Sequence, residues 1–354
     1  MKSTTDKLAD IAPKITTIIP TYRRPELLRR AVLSALAQEG TSLQVCVYDN
    51  ASDDSTADVV AALAASDSRV KYFRHASNIG GLANFQYGLT NVTTPFFSFL
   101  SDDDVLLPGF YEEAMRGLEE FPSAAFWCGV TPLITPDGTV YTARVADWPR
   151  TGLYSQPEGV LQMIKGSMPC WTGALFRKDA MDLIGPLDSQ LQGPSDIEYM
   201  LRAAVRNPFV ISKHASALFL LNPESFSETS PLESFWPGWK QMIKNIAEAE
   251  GLNDSERIAI KQGLRLKARR MLLRRGAAAL AKRSYDFSEE AGAILSKEFG
   301  DALRATVLIG LTRICSAWQP AQLLYSYAYR LAEKVTVSKR VALKRRYGHL
   351  SQYL

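Results

Sequence analysis

Three carboxylates stand side by side at Asp102, Asp103 and Asp104, directly after the apolar run Phe96-Phe97-Ser98-Phe99-Leu100 and Ser101. Adjacent acids repel one another, and something must offset that repulsion. Water around an exposed loop can do so, as can the positive end of a following helix. So can a divalent cation held by one or two carboxylates, with phosphate oxygens and water completing its shell. Asp49-Asn50-Ala51-Ser52-Asp53-Asp54 closes an earlier apolar run in the same manner. An aspartate there can accept hydrogen bonds from a base or a ribose, although Asp/Asn/Ser clusters also form turns and helix caps. Asn78-Ile79-Gly80-Gly81 permits close backbone approach to a ligand or makes an ordinary turn. Asp196, in Gly193-Pro194-Ser195-Asp196-Ile197-Glu198-Tyr199, enters a helical pattern and reads by itself as a cap.

The elements that would position these acids are legible in the first hundred residues. Strand-like runs at 15–19, 43–48, 70–74 and 95–100 alternate with helical patterns that start at Pro25, near Asp53-Asp54-Ser55, and at Leu82. Such alternation predicts right-handed βαβ crossovers and a mainly parallel sheet. Ligands of these sheets gather beyond the carboxyl ends of the strands. Three segments fall there: Pro20-Thr21-Tyr22, Asp49-Asn50 and Ser101 to Asp104. Past Pro108 a helix through Phe110, Met115 and Leu118 and a strand over 124–130 are expected. A turn at Pro136-Asp137-Gly138 and a loop-rich stretch to Gly173 follow, then a strand at 174–176 and helices at 179–184 and 196–206. After Pro237 the pattern is helical throughout.

Composition restricts the class of protein. The chain is 46% apolar and 22% charged, which excludes a disordered or disulfide-stapled protein. Its four cysteines, Cys46, Cys128, Cys170 and Cys315, are scattered, so neither a zinc site nor a disulfide framework is expected, and a reducing cytoplasm is the simplest setting. The polar start, Met1 to Lys14, carries no secretory pattern. The net charge of +4 hides an asymmetry: residues 240–354 hold 22 Lys+Arg against 10 Asp+Glu, while the rest of the chain is net acidic.

Read together and in order, these segments resemble an inverting family 2 glycosyltransferase of the GT-A fold. The resemblance rests on Ile18-Ile19-Pro20-Thr21-Tyr22-Arg23-Arg24, Val47-Tyr48-Asp49-Asn50-Ala51-Ser52-Asp53-Asp54-Ser55-Thr56, Asn78-Ile79-Gly80-Gly81 with Asn84, and Asp102-Asp103 with Pro108. Downstream it continues through Gly173-Ala174-Leu175-Phe176-Arg177, Ile184-Gly185-Pro186-Leu187-Asp188, and Ser195-Asp196-Ile197-Glu198-Tyr199 with Arg202. It covers roughly residues 14–227. The resemblance implies a Rossmann-like α/β nucleotide-diphospho-sugar transferase domain over 14–230, a short extension over 1–13, and a basic helical region over 231–354.

The resemblance also implies roles. Pro20, Thr21, Tyr22, Arg24, Asp49, Asn78, Asn84 and Asp102 would bind the donor, a UDP- or dTDP-linked sugar. Asp103 would take Mn²⁺ or Mg²⁺, and Asp196 would be the base that deprotonates the acceptor hydroxyl. The chain departs from the family pattern at Ser101, where the D-x-D usually begins with Asp, and at Asn222, where many relatives have His. It has no Gln-x-x-Arg-Trp segment, which implies a single transfer per encounter. The acceptor implied is a saccharide or lipid-linked saccharide of a bacterial surface-polysaccharide or glycolipid pathway. A non-catalytic nucleotide-sugar binding module is the alternative from another class. A sugar-nucleotide pyrophosphorylase would want a Gly-rich loop where this chain has Thr21-Tyr22-Arg23-Arg24-Pro25.

The basic tail allows three readings: a bundle packed on the catalytic domain, self-association as a homo-oligomer, or peripheral contact of 300–354 with anionic lipid at the inner face of the cytoplasmic membrane. No nucleic-acid recognition motif accompanies the charge, so nucleic acid is not an expected partner. Leu303 to Trp318 is the most apolar stretch, but it contains Arg304 and Arg313 and falls short of the roughly 20 residues a span needs.

Overall fold

Runs such as Ile15-Thr16-Thr17-Ile18-Ile19 are apolar or β-branched at every position, which suits strands covered on both faces. The computed structural model describes residues 12–191, 193–221, 231–335 and 337–354, and side chains outside 333–339. Its N-terminal half begins with β1 (Ile15–Thr21), α1 (Pro25–Leu36), β2 (Leu43–Asp49), α2 (Thr56–Ser66), β3 (Val70–Arg74), α3 (Gly81–Thr90) and β4 (Phe96–Phe99). It continues through β5 (Val105–Leu106), α4 (Phe110–Glu120), β6 (Phe126–Ile134), β7 (Val140–Arg144), β8 (Gly152–Tyr154) and α5 (Glu158–Lys165). Then come β9 (Ala174–Arg177), α6 (Lys178–Asp182), α7 (Ser195–Arg206), β10 (Phe209–Ala215) and β11 (Ala217–Leu220).

The sheet runs β3-β2-β1-β4-β9-β6-β10-β8. β1 pairs in parallel with β2 and β4, with Ile18 opposite both Cys46 and Phe99, so these strands end at one edge. Strand order reverses at β1, where β2 lies on one side and β4 on the other, and a crevice forms beyond such a reversal. β9 enters antiparallel between β4 and β6.

Two expectations need correction. The stretch between 139 and 173 is not mostly loop: β6 runs on to Ile134, and beyond the expected turn at Pro136-Asp137-Gly138 come β7, β8 and α5. The short polar alternation of Val140–Arg144 and the proline at 157 obscured these elements. The helical region also starts before Pro237, which lies inside α8 (Leu232–Ala247). The proline costs only the hydrogen bond to Glu233, in the helix's first turn, and burial of Leu232, Phe235, Trp236 and Trp239 holds the helix across it.

Five further helices follow: α9 (Asp254–Ala281), α10 (Tyr285–Phe299), α11 (Ala302–Ala317), α12 (Gln319–Val335) and α13 (Val337–Tyr347). α9 opens with a reciprocal capping box between Asn253 and Glu256. The region packs on the sheet domain. Leu232, Met242, Ile260 and Leu264 share one continuous apolar core with Phe176, Tyr199 and Phe209. No helix among the described residues is long and apolar enough to cross a membrane.

Candidate active site

β1 delivers Pro20 and Thr21 to the carboxyl edge of the sheet, and the turn into α1 carries Tyr22 and Arg24. β2 delivers Asp49 and Asn50, and the segment after β4 delivers Ser101, Asp102 and Asp103. A cleft of about 490 Å³ opens beyond them, and α7 closes its other side with Ser195 and Asp196. Pro20, Thr21, Tyr22, Arg24, Asn78, Asn84, Asp102, Asp103 and Asp196 all line this one cleft. Residues remote in sequence thus share a surface.

Asp49 is the exception. Its side chain is wholly buried behind the cleft wall. Oδ1 accepts the Ser52 amide at 2.8 Å, and Oδ2 accepts the Tyr72 hydroxyl at 2.6 Å, with Arg74 Nε 3.8 Å away. Its role here is to fold the β2–α2 loop. The next residue, Asn50, is the one that lines the cleft. Asn50 donates to Asn78 Oδ1 (2.9 Å) and accepts the Ile79 amide (2.8 Å), fixing the loop before α3. Asn84 is almost fully buried, donates to the Tyr48 carbonyl at 2.8 Å and contacts His75 Nε2 at 2.9 Å.

The three adjacent acids divide into different roles. Asp102 accepts Thr21 Oγ1 at 2.8 Å and Arg24 Nη1 at 3.3 Å, so both of its oxygens are engaged. Burial and the neighbouring Asp103 charge push its carboxyl up to about 6, against the pull of Arg24. Asp103 accepts Arg24 Nη1 through Oδ2 at 2.9 Å, and its Oδ1 has no hydrogen-bond partner among the described residues. Asp104 turns away from the cleft and is fully buried. It accepts the Leu220 amide at 2.9 Å and Thr172 Oγ1 at 2.8 Å, tying β11 and the turn at Trp171–Gly173 to the end of β4. Burial and the Asp103 charge hold it well above the ordinary carboxylate range. The residue pattern alone did not separate Asp104 from its two neighbours, although the resemblance gave roles to Asp102 and Asp103 only.

Asp196 does not cap its helix. The N-cap is Pro194, which makes no side-chain cap hydrogen bond, and Asp196 sits in the first turn. It lines the cleft, and burial pushes its carboxyl upward, opposed by the Ile197 amide and the Arg144 charge. Glu198, two residues on, is buried and grips Arg202 through two hydrogen bonds of 3.0 Å. Arg202 in turn donates to the carbonyls of Ile184 (2.7 Å) and Pro186 (2.8 Å), and Asn245 of α8 donates to Glu198 and Asp188. The motif residues 184–188 and 198–202 therefore orient the helix that presents Asp196. Trp171, packed 4.5 Å from Phe99 and 4.7 Å from Phe85 between ring centroids, also lines the cleft and had no signal in the sequence. The Asn222 departure lies outside the described residues.

A Mg²⁺-type ion accepts one or two protein carboxylates and takes its remaining oxygens from phosphate and water. Asp103 fits that demand, with an unpartnered oxygen at the cleft and a side chain that is 12% exposed. No group of three His, Cys, Asp or Glu among the described residues could hold an ion unaided.

A parallel sheet reversing at β1, with acids at its carboxyl edge and a facing aspartate on a helix, defines a nucleotide-sugar transferase fold of the GT-A type. Residues 16–185, just under half of the chain, match the family model "Glycosyl transferase family 2". The GalNAc(5)-diNAcBac-PP-undecaprenol beta-1,3-glucosyltransferase of Campylobacter jejuni is 37% identical over 109 residues, 30% of this chain and 35% of that protein. The succinoglycan biosynthesis protein ExoW of Rhizobium meliloti is 34% identical over 139 residues, 38% of this chain and 42% of that protein. The matches thus span well under half the length of these relatives. Among solved structures, S. aureus TarS 1-349 in complex with UDP-GlcNAc shares the fold, with a TM-score of 0.63 and 15% identity over 90% of this chain and 92% of that one.

Proposed function

We propose that the chain is an inverting glycosyltransferase that moves one sugar from a nucleoside-diphosphate donor to an acceptor hydroxyl in synthesis of a bacterial polysaccharide or glycolipid. One observation carries the reading: Asp103 and Asp196, remote in sequence, share a single cleft at the carboxyl edge of the sheet.

Each residue then has a task. Pro20, Tyr22, Asn50 and Asn78 form the wall against which the nucleoside lies. Arg24 offers its guanidinium to the diphosphate and holds Asp102 and Asp103 in place meanwhile. Asp103 would hold Mn²⁺ or Mg²⁺ together with the diphosphate oxygens, and a bound ion stabilises the charge on the leaving diphosphate. Asp196 accepts the proton of the acceptor hydroxyl as oxygen attacks the anomeric carbon from the face opposite the leaving group, which inverts the configuration. Its raised proton affinity suits a base, and such a group contributes typically 10²–10⁴-fold. Without a Gln-x-x-Arg-Trp segment, the product leaves after one transfer.

The C-terminal helices support a peripheral membrane position on the cytoplasmic side. Leu303, Val307, Leu311, Ile314 and Trp318 recur at helical spacing along α11 and are all exposed, with Leu303 at 77% and Trp318 at 61%. Exposed Arg304 and Arg313 flank this stripe, a pattern suited to an interfacial helix on anionic lipid.

The test is a thermal-shift screen of UDP-, dTDP- and GDP-sugars with and without Mn²⁺ or Mg²⁺. One donor should raise Tm in the presence of the ion and release its nucleoside diphosphate when acceptor is added. A chain that no nucleotide sugar stabilises is not this enzyme. Flotation with anionic vesicles, lost in L303E/I314E, tests the lipid contact separately.

A further inference from the structure

The cleft is not the largest hollow near Asp196. A cavity of about 840 Å³ lies between α5, α9 and the start of α7. Ile197 lines it, whereas the preceding residue, Asp196, lines the cleft, so the first turn of α7 borders both. Arg144, Lys165, Lys267, Arg270 and Arg274 face this cavity, and among its described lining residues there is no carboxylate. None of the five cations pairs with an acid within 4.0 Å among the described residues.

The arrangement is built by the fold. Arg144 ends β7 and Lys165 ends α5. Lys267, Arg270 and Arg274 fall on one stripe of α9, at i, i+3 and i+7. Gly263 continues that stripe one turn earlier. A Cβ there would lie 2.8 Å from Ile164 Cγ2, so the glycine lets α9 close on α5 and brings the two sets of cations to one wall. Lys267 is spent on structure, donating to the carbonyls of Ile164 (3.1 Å) and Gly166 (2.8 Å) at the end of α5. Burial, then Arg144 and Arg274, press its amine down to about 8, against the smaller pull of Asp147. Trp239 also lines the cavity, and its indole Nε1 is a buried donor with no partner among the described residues.

Clustered cations with no carboxylate in salt-bridge contact favour an anion of more than one charge, and guanidinium groups favour phosphate oxygens. We propose that this cavity binds a phosphate or diphosphate group carried by the acceptor. The inference rests on the glycosyltransferase reading, because it makes the cavity the continuation of the acceptor site past Asp196. It also narrows the acceptor class. The cavity and the cleft share the first turn of α7, so the phosphate would lie on the acceptor side of Asp196. The apolar part of the lining, Leu161, Ile164 and Met168, suits a hydrocarbon substituent on that phosphate.

The test is calorimetric titration of the full chain, with UDP and Mn²⁺ saturating so that the cleft is filled. The titrants are pyrophosphate and farnesyl diphosphate. Both should bind, and R270A/R274A should weaken both at least tenfold; Arg270 and Arg274 are exposed, so the variant should fold. K261A/K282A removes two exposed charges elsewhere and should change neither by more than twofold. Tighter binding of farnesyl diphosphate than of pyrophosphate identifies a lipid-borne phosphate, and equal binding a phosphate without a lipid; either outcome supports the site. Absence of binding, or equal losses in the two double variants, overturns it and leaves the transferase reading standing. Failure of UDP itself to bind counts against the transferase reading, and the comparison of the two double variants still decides the cavity.

Discussion

Arg24 Nη1 donates to Asp103 Oδ2 at 2.9 Å, so the turn after β1 is latched to the acid that follows β4. The same nitrogen reaches Asp102, and β1 and β4 are neighbours in the sheet, so the latch joins the ends of adjacent strands. The Arg24 charge thereby offsets the repulsion between the two adjacent carboxylates.

The consecutive acids should fail in different ways. D103N should abolish the ion-dependent rise in Tm with donor and lower kcat/KM at least 100-fold, with little change in unliganded stability. D104A should instead orphan the Leu220 amide and the Thr172 hydroxyl, each buried donor costing about 1–3 kcal/mol. Its signature is a lowered Tm in the absence of any ligand. Urea unfolding and donor titration of the two variants check the division; similar profiles would refute it.

Much of this was legible beforehand because the alternation of elements fixed which loops meet. Pro20, Asn50 and Asp103 could be placed at one edge from strand ends alone, since parallel strands joined by helices finish on the same side, whereas Asp196 came only from the family resemblance. What stayed illegible depends on side-chain direction. Asp49 and Asn50 are adjacent, so one turns inward and the other toward the cleft, and either suits a strand end. Asp104 looked equivalent to Asp103, yet its partners come from residues 172 and 220, whose proximity only the packed sheet creates. The basic cavity was hidden for the same reason: the +12 balance of the tail was visible, but not that three of its cations meet Arg144 and Lys165.

Arg202 anchors the helix that carries Asp196 to the carbonyls of Ile184 and Pro186. Glu198 is buried with its charge offset by Arg202, so R202A leaves an uncompensated carboxylate, a loss of roughly 3–5 kcal/mol for a buried pair. R202K keeps the charge but lacks the fork that joins Glu198 to the carbonyls of Ile184 and Pro186, and should lose less. Thermal denaturation should rank the wild type above R202K and R202K above R202A, and donor affinity should change little in either variant.

Gly193 couples the helical region to the cleft. A Cβ there would fall 2.4 Å from Phe235 Cδ2, so α8 sits directly against the loop that leads to Asp196. G193A must push the loop or α8 aside, at about 1–3 kcal/mol. The displacement should appear as a reduced kcat with donor binding preserved. G193A/F235L, which removes part of the opposing ring, should recover a share of both Tm and kcat.

The pH profile isolates Asp196. Burial raises the proton affinity of its carboxyl above the usual value of 3.8, so at low pH it holds a proton and cannot accept another. Activity should therefore climb with pH through a midpoint above 3.8 and level off once the carboxylate is ionised. Asp102, pushed to about 6, also titrates in this range, but it touches Thr21 and Arg24 on the donor side. Its ionisation should show in donor binding, measured without acceptor, whereas that of Asp196 should show in kcat at saturating donor. D196N should cost roughly 10²–10⁴-fold in kcat, flatten the acidic limb of the kcat profile and leave the donor-binding profile intact. An acidic limb that survives in D196N would place the base elsewhere.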